Sequence, residues 1–272
     1  MKPLVLIGLG YSGSTAVLDG FLSSGKCWSL PNKREFDYLR QMFLDSLNYY
    51  QTLKTPFRII RNATRETIPL SEAWQWFLIE LFFRKKRDFE EIELFFQRHI
   101  AGDKQIILNQ GLFVEQMQLL PETWKKIIVI RHPFNSFHDM TKEGYFYSYK
   151  NLLDAQRCGA SDEFMKDSLI NTYLKRIEFL THNYINVEFL EIIEFEQLIK
   201  QPRRIVEDCE NKLELPSGSF NYNLTDAAAS RARQISKSTA KAQLMVNGYT
   251  GKQLSRLEEN YLEFCKCINR KR

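Results

Sequence analysis

The sequence predicts an α/β fold in three layers, with a mainly parallel central sheet flanked by helices on both faces. Short apolar, β-branched segments alternate along the chain with segments of helical periodicity, which is typical of parallel sheets. The first segment, Leu4 to Ile7, is apolar at every position, as expected for a strand that is covered on both faces. A glycine-rich turn and a helical pattern follow this strand directly.

Composition predicts one domain over residues 1–272, because 44% apolar residues in 272 can build a large core and no repeat or linker interrupts the chain. The net charge is +5, from 38 basic and 33 acidic residues. A dispersed charge of this size argues against a nucleic-acid polymer as partner but suits an anionic small molecule.

Four more segments have the composition of strands, and a helical pattern follows each of them: 57–62, 104–110, 125–131 and 186–193. Ligands of parallel sheets bind beyond the carboxyl ends of the strands, so the residues after each segment are candidates for a site. The longest apolar stretch, 74–83, is far shorter than the roughly 20 residues of a membrane span, and predicts a buried helix instead. Residues 216–251, rich in Ser, Ala, Asn and Gly, are interpreted as a loop over the ligand.

The cysteines predict a reducing, cytoplasmic location. They are five in number and scattered, and no signal peptide precedes the first strand. Cys265 and Cys267 are the closest pair, but two residues apart on a helix they point in different directions, and no histidine lies near them in sequence. We therefore predict no metal site.

The glycine-rich turn after the first strand resembles a phosphate-binding loop. Gly8, Gly13, Ser14 and Thr15 follow the G-x-x-x-x-G-K-[ST] pattern, except that Ser14 replaces the lysine. Backbone N–H groups of such a turn and the helix N-terminus after it can hold an anion. The missing lysine argues against an ordinary ATP or GTP site, and a tight turn without ligand is the alternative.

A second candidate lies after the segment 125–131. Pro133 suits the first turn of a helix, which leaves Arg131 at the end of the strand and puts Ser136 and Asp139 on one face of the helix. An arginine there can bind a phosphate in a bidentate manner, with a hydroxyl as a second donor. An arginine that only caps the sheet is the alternative.

Three motifs in order resemble the sulfotransferases that use 3′-phosphoadenylyl sulfate (PAPS), in particular the carbohydrate-type members. They are "GLGYSGST", "IIVIRHPFNSF" and "FLEIIEFEQLIKQPRRIVEDCENKLELP", and the likeness spans most of the chain. It implies a P-loop-like fold, PAPS as co-substrate, no metal and a hydroxyl acceptor, either a saccharide or a glycolipid. The residues matched in the third motif are Phe195, Glu196, Leu198, Pro202, Leu213, Leu215 and Pro216.

The resemblance also implies residue roles. The turn would hold the 5′-phosphosulfate through Gly10, Tyr11, Ser12, Gly13, Ser14 and Thr15. Arg131 would hold the 3′-phosphate, together with Ser136 as a hydroxyl donor. A basic loop late in the chain would add phosphate contacts, with Arg231, Arg233, Lys237, Lys241 and Lys252 as candidates.

Two positions depart from the family pattern. Tyr11 occupies the catalytic position where the family has Lys or Arg, and a phenol brings no charge. Asp139 stands eight residues after Arg131, where the family has serine. Lys33, Arg34 and the late basic loop are alternative sources of the missing cation.

For the catalytic base, the resemblance points to "NKREFDYL", with Glu35 as the first choice and Asp37 as the second. A solvated carboxylate at a helix start is the alternative. Two other functions compete with sulfuryl transfer: a nucleotide-dependent P-loop kinase, and a catalytically silent descendant that binds a nucleotide.

Overall fold

A computed structural model describes residues 2–29, 93, 103–111, 121–142, 159, 161–183, 190–221 and 235–269. The strands in these ranges are β1 (Leu4–Gly8), β2 (Cys27–Ser29), β3 (Gln105–Gly111), β4 (Lys125–Ile130) and β5 (Leu190–Glu194). The helices are α1 (Ser14–Leu22), α2 (Pro133–Lys142), α3 (Asp162–Asn183), α4 (Phe195–Lys200), α5 (Pro202–Lys212), α6 (Lys237–Val246) and α7 (Gly251–Asn269). The predicted strand at 57–62 and the predicted helix at 74–83 lie outside the described residues.

The strands form one parallel sheet in the order β2-β3-β1-β4-β5. The central strand β1 pairs with β3 on one side, Leu4 opposite Ile107, and with β4 on the other, Gly8 opposite Val129. The carboxyl ends of β1, β4 and β5 therefore meet at one edge of the sheet. The predicted α/β fold with a parallel central sheet is confirmed, and β2, which the sequence did not predict, is an edge strand of the described sheet.

Helices cover both faces of the sheet, because the strand residues alternate between two separate cores. Val5 and Ile7 of β1 pack in the core that α2, α3, α6 and α7 complete. Leu4 and Leu6 point to the opposite face and pack against α1, α4 and α5. Among the described helices, none combines the length and the apolar character needed to cross a membrane.

Part of the predicted ligand loop, 216–251, is helical instead. Lys237 to Val246 form α6, and the Ser236 side chain caps this helix by accepting a hydrogen bond from the backbone N–H of Thr239. Ala240 and Leu244 are buried in the core where this helix packs against α2, so tertiary packing stabilises a segment whose composition suggested a loop.

Candidate anion-binding site

The turn between β1 and α1 is held in a compact, left-handed conformation. Gly10, Tyr11 and Gly13 have positive φ angles of 87°, 50° and 89°. Gly13 is the N-cap of α1, and the Phe195 ring packs so closely on it that a β-carbon would lie 2.5 Å from Cδ2. Only glycine satisfies both conditions at this position, and the result is a turn that bends tightly in front of a helix N-terminus.

Two hydroxyls converge on the inside of this turn. A β-carbon on Gly8 would lie 2.7 Å from Ser12 Oγ and 2.8 Å from Ser14 Oγ, so both side chains fold back over the end of β1. Ser12 is buried, and its Oγ has no hydrogen-bond partner among the described residues. A buried hydroxyl without a partner is costly, and an anion in the turn would accept its hydrogen bond.

The Tyr11 carbonyl oxygen joins the turn to the second motif. It accepts hydrogen bonds from Arg131 Nη1 at 3.3 Å and from Ser136 Oγ at 3.4 Å. Arg131 therefore lies beside the turn, as the sequence predicts, and Ser136 faces the same point from α2. The structure brings these predicted residues to one place at the carboxyl edge of the sheet.

Asp139 points toward Arg131. Its Oδ2 forms an ion pair of 2.6 Å with Arg131 Nη1, and its Oδ1 lies 3.2 Å from His138 Nδ1. The Arg131 side chain is 11% exposed and that of Asp139 is 36% exposed. The guanidinium that the resemblance assigns to a 3′-phosphate thus has a carboxylate as its partner in this structure.

The junction of β5 and α4 supports both motifs from the side. The Phe195 ring contacts Gly13, and its centroid lies 5.8 Å from Arg131 Cζ, within the range of a cation–π contact. Glu196 Oε1 accepts hydrogen bonds from His132 N at 3.0 Å and from Asn135 Nδ2 at 3.2 Å. A carboxylate at the start of α2 stabilises that helix end, so the third motif holds α2 against β4.

Glu196→Ala is expected to reduce the free energy of unfolding by about 1–3 kcal/mol, because it leaves the His132 N–H and the Asn135 amide without their acceptor. Urea denaturation measures the loss. Glu207→Ala removes an exposed ion pair with Arg203 and is the matched control, with an expected change of about 0.5 kcal/mol or less. Equal losses in the two variants would contradict the capping role.

His132 is a buried, uncharged imidazole next to Arg131. Burial, together with the positive charges of Lys237 and Lys241, lowers its pKa from 6.5 to about 3. Its Nδ1 accepts a hydrogen bond from the Phe134 backbone at 3.4 Å, and its ring packs edge-on against Tyr261. The ring is therefore a packed part of the α2 start that holds no charge at neutral pH.

The candidate lysines of the late basic segment differ in their surroundings. Lys241 lies beside the start of α2, 5.3 Å from the Phe134 ring centroid, and its Nζ is 3.5 Å from a Glu258 carboxylate oxygen. Lys237 is exposed on the first turn of α6 and close enough to act on His132. Lys252 is exposed on α7, and its side chain has no ion pair with a described residue.

The remaining predicted residues lie outside the described ranges: Lys33, Arg34, Glu35, Asp37, Arg231 and Arg233. Within the described ranges no group of three or more His, Cys, Asp and Glu side chains is arranged to hold a metal ion. His138 is a second partner of Asp139 that was not predicted, because neighbouring positions on a helix gave no reason to pair them.

Comparison with known proteins gives structural neighbours but no sequence relatives. No known family profile matches the chain, and no curated protein matches it. The sulfotransferase domain from the Synechococcus PCC 7002 olefin synthase superposes with a TM-score of 0.54 at 15% identity, covering 96% of this chain and 94% of that one. The chain shares the fold of this sulfotransferase domain.

A second neighbour supports the same assignment of the fold. The sulfotransferase domain from the curacin biosynthetic pathway superposes with a TM-score of 0.56 at 15% identity, covering 96% of this chain and 98% of that one. The likeness to each of these two domains covers 96% of this chain.

Proposed function

We propose that this protein transfers a sulfuryl group from PAPS to a hydroxyl acceptor. The observation that carries the proposal is the turn at 9–13. It places a buried Ser12 hydroxyl, which has no hydrogen-bond partner in the described part of the chain, before the N-terminus of α1, and Arg131 and Ser136 donate hydrogen bonds to its Tyr11 carbonyl. A turn of this kind can hold an anionic group, and the chain has the fold of sulfotransferase domains.

In the proposed reaction, the acceptor oxygen attacks sulfur, the bond from sulfur to the phosphate oxygen breaks, and 3′,5′-ADP leaves with the electron pair. The acceptor proton passes to Glu35. Backbone N–H groups of 10–15 and the Ser12 hydroxyl hold the phosphosulfate and stabilise the charge that develops on the leaving phosphate. Arg131 and Ser136 hold the 3′-phosphate. This displacement requires no metal.

The missing cation at Tyr11 has a candidate replacement near the site. Lys241 lies beside the start of α2 and Lys237 acts on the adjacent His132, whereas Lys252 has no comparable contact with this region among the described residues. We propose that Lys237 or Lys241 supplies the charge, with Lys33 and Arg34 as the other sources. A saccharide acceptor, a single domain over 1–272 and a cytoplasmic location stay predictions.

A second candidate, a silent nucleotide-binding protein, is favoured by two observations at the site. Position 11 carries a phenol instead of a cation, and Arg131 pairs with Asp139. The sulfotransferase and the silent protein would both bind the nucleotide, but only the sulfotransferase would turn over. A P-loop kinase has no comparable support, because Ser14 replaces the phosphate-binding lysine.

Thermal unfolding with 3′,5′-ADP, ADP, ATP and GTP tests the nucleotide site. We expect 3′,5′-ADP to stabilise the protein most, by about 2.7 kcal/mol when its concentration is one hundred times the dissociation constant. A larger effect of ATP or GTP would contradict the proposal. Release of 3′,5′-ADP from PAPS with a panel of saccharides and simple alcohols then separates the enzyme from the silent protein, because only the enzyme turns over.

A further inference from the structure

We infer that the Asp139 carboxylate is an internal competitor for the anion that Arg131 binds, and that it sets how strongly the site prefers a nucleotide with a 3′-phosphate. This inference rests on the proposed function, since it concerns the same nucleotide. It assigns to Asp139 the role of a specificity-determining residue.

The competition follows from which donors of Arg131 are occupied. Nη1 donates both to Asp139 Oδ2 at 2.6 Å and to the Tyr11 carbonyl at 3.3 Å. The Nε and Nη2 groups have no hydrogen-bond partner among the described residues. A phosphate that binds the guanidinium in a bidentate manner therefore approaches donors adjacent to the one that Asp139 holds.

The exposure of the two side chains shows which of them a ligand meets first. Arg131 is 11% exposed and Asp139 is 36% exposed, so the carboxylate occupies the more open side of the pair. A phosphate next to this carboxylate experiences like-charge repulsion, and the two anions compete for one cation. Binding of a 3′-phosphate then requires that the Arg131–Asp139 pair opens or shares its donors.

His138 provides a place for the displaced carboxylate. Asp139 Oδ1 lies 3.2 Å from His138 Nδ1, and the His138 side chain is 4% exposed. A carboxylate that releases Arg131 can therefore keep a polar contact instead of losing all of its partners. The arrangement gives Asp139 two partners, of which the ligand removes one.

If the Arg131–Asp139 ion pair were purely structural, removal of Asp139 would have a different effect on the nucleotide preference. If Asp139 only positions Arg131, its removal weakens 3′-phosphate binding or leaves the preference unchanged. If Asp139 competes with the phosphate, its removal strengthens binding of the 3′-phosphorylated nucleotide selectively. The ratio of two affinities, for 3′,5′-ADP and for 5′-AMP, separates these cases, because both ligands carry the same 5′-phosphate.

Isothermal titration calorimetry with 3′,5′-ADP and 5′-AMP tests the inference on the wild-type protein, on Asp139→Asn and on Asp139→Ser. We expect the preference for 3′,5′-ADP to rise about tenfold or more in both variants, the scale of one charge-assisted contact. Asp208→Asn is the matched control, because it removes the same charge from an exposed pair with Arg204 on α5. The preference of Asp208→Asn for 3′,5′-ADP over 5′-AMP should equal that of the wild type.

The outcomes distinguish this inference from the proposed function. A preference that is unchanged or reduced in the Asp139 variants, with 3′,5′-ADP still bound, overturns the inference alone. If the wild-type protein binds neither nucleotide, the proposed function fails and the inference fails with it. If both variants fail to fold, the wild type decides: a preference for 3′,5′-ADP over 5′-AMP below about tenfold supports competition, and a larger preference overturns it.

Discussion

Gly13→Ala is expected to lower the free energy of unfolding by about 3 kcal/mol or more, from two causes that act together. The φ angle of 89° is strained for any residue with a β-carbon, at a cost of about 1–3 kcal/mol. The new β-carbon would also lie 2.5 Å from Cδ2 and 2.6 Å from Cε2 of Phe195, and forced repacking costs about 1–3 kcal/mol. Urea denaturation measures the loss.

Gly25→Ala is the matched control for this effect. Gly25 also has a positive φ angle, 72°, but a β-carbon there would have no heavy atom within 4 Å. We expect Gly25→Ala to lower the free energy of unfolding only by the contribution of backbone strain, about 1 kcal/mol. In a Phe195→Ala background, Gly13→Ala should cost less than in the wild type. Equal losses at Gly13 and Gly25 would show that Phe195 moves aside at no cost.

Acidification is expected to destabilise the protein through His132. The folded pKa of this group is about 3 and its usual value is 6.5, so the unfolded chain binds a proton that the folded one rejects. Stability from this group is fully present above pH 6.5 and falls as the pH drops toward 3. At about 1.4 kcal/mol per pH unit, the loss reaches up to about 4–5 kcal/mol over this window.

His132→Asn isolates this contribution, because the amide oxygen can still accept the hydrogen bond of the Phe134 N–H but does not titrate. The difference in unfolding free energy between pH 7 and pH 4 should be several kcal/mol smaller in the variant than in the wild type. His182→Asn is the control, since His182 is exposed and its one hydrogen bond to a described residue is with the Glu178 carbonyl. An acid response that His132→Asn leaves unchanged would contradict the prediction.

Most of the described sheet could be predicted because β1, β3, β4 and β5 each contain a short apolar run whose side chains are buried on both faces of the sheet. The segments at 104–110 and 125–131 correspond to β3 and β4 within a residue at each end, and 186–193 overlaps β5. Strand β2 could not be predicted, because three residues are too few for a periodic pattern. Helix α6 was not predicted either, because it buries only Ala240 and Leu244 and therefore shows little apolar periodicity in the sequence.

The positions of Arg131, Ser136 and Asp139 were predictable from the sequence, but the pairing of Arg131 with Asp139 was not. The sequence places Arg131 at the end of a strand and puts Ser136 and Asp139 on one helix face, and both expectations are confirmed. The direction in which that face points depends on how α2 lies against β4. Contacts from Glu196 on a different strand–helix junction determine this orientation, so the Arg131–Asp139 pair could not be derived from local spacing.

The hydrogen bonds from Arg131 and Ser136 to the turn are accepted by the backbone carbonyl of Tyr11 and not by its side chain. Because Arg131 and Ser136 bind the Tyr11 carbonyl, these two hydrogen bonds do not depend on which side chain position 11 carries. A lysine can therefore be introduced there while both contacts are kept. The Tyr11 side chain also packs against the core, so a redesign at position 11 keeps the two backbone hydrogen bonds but changes this packing together with the charge of the site.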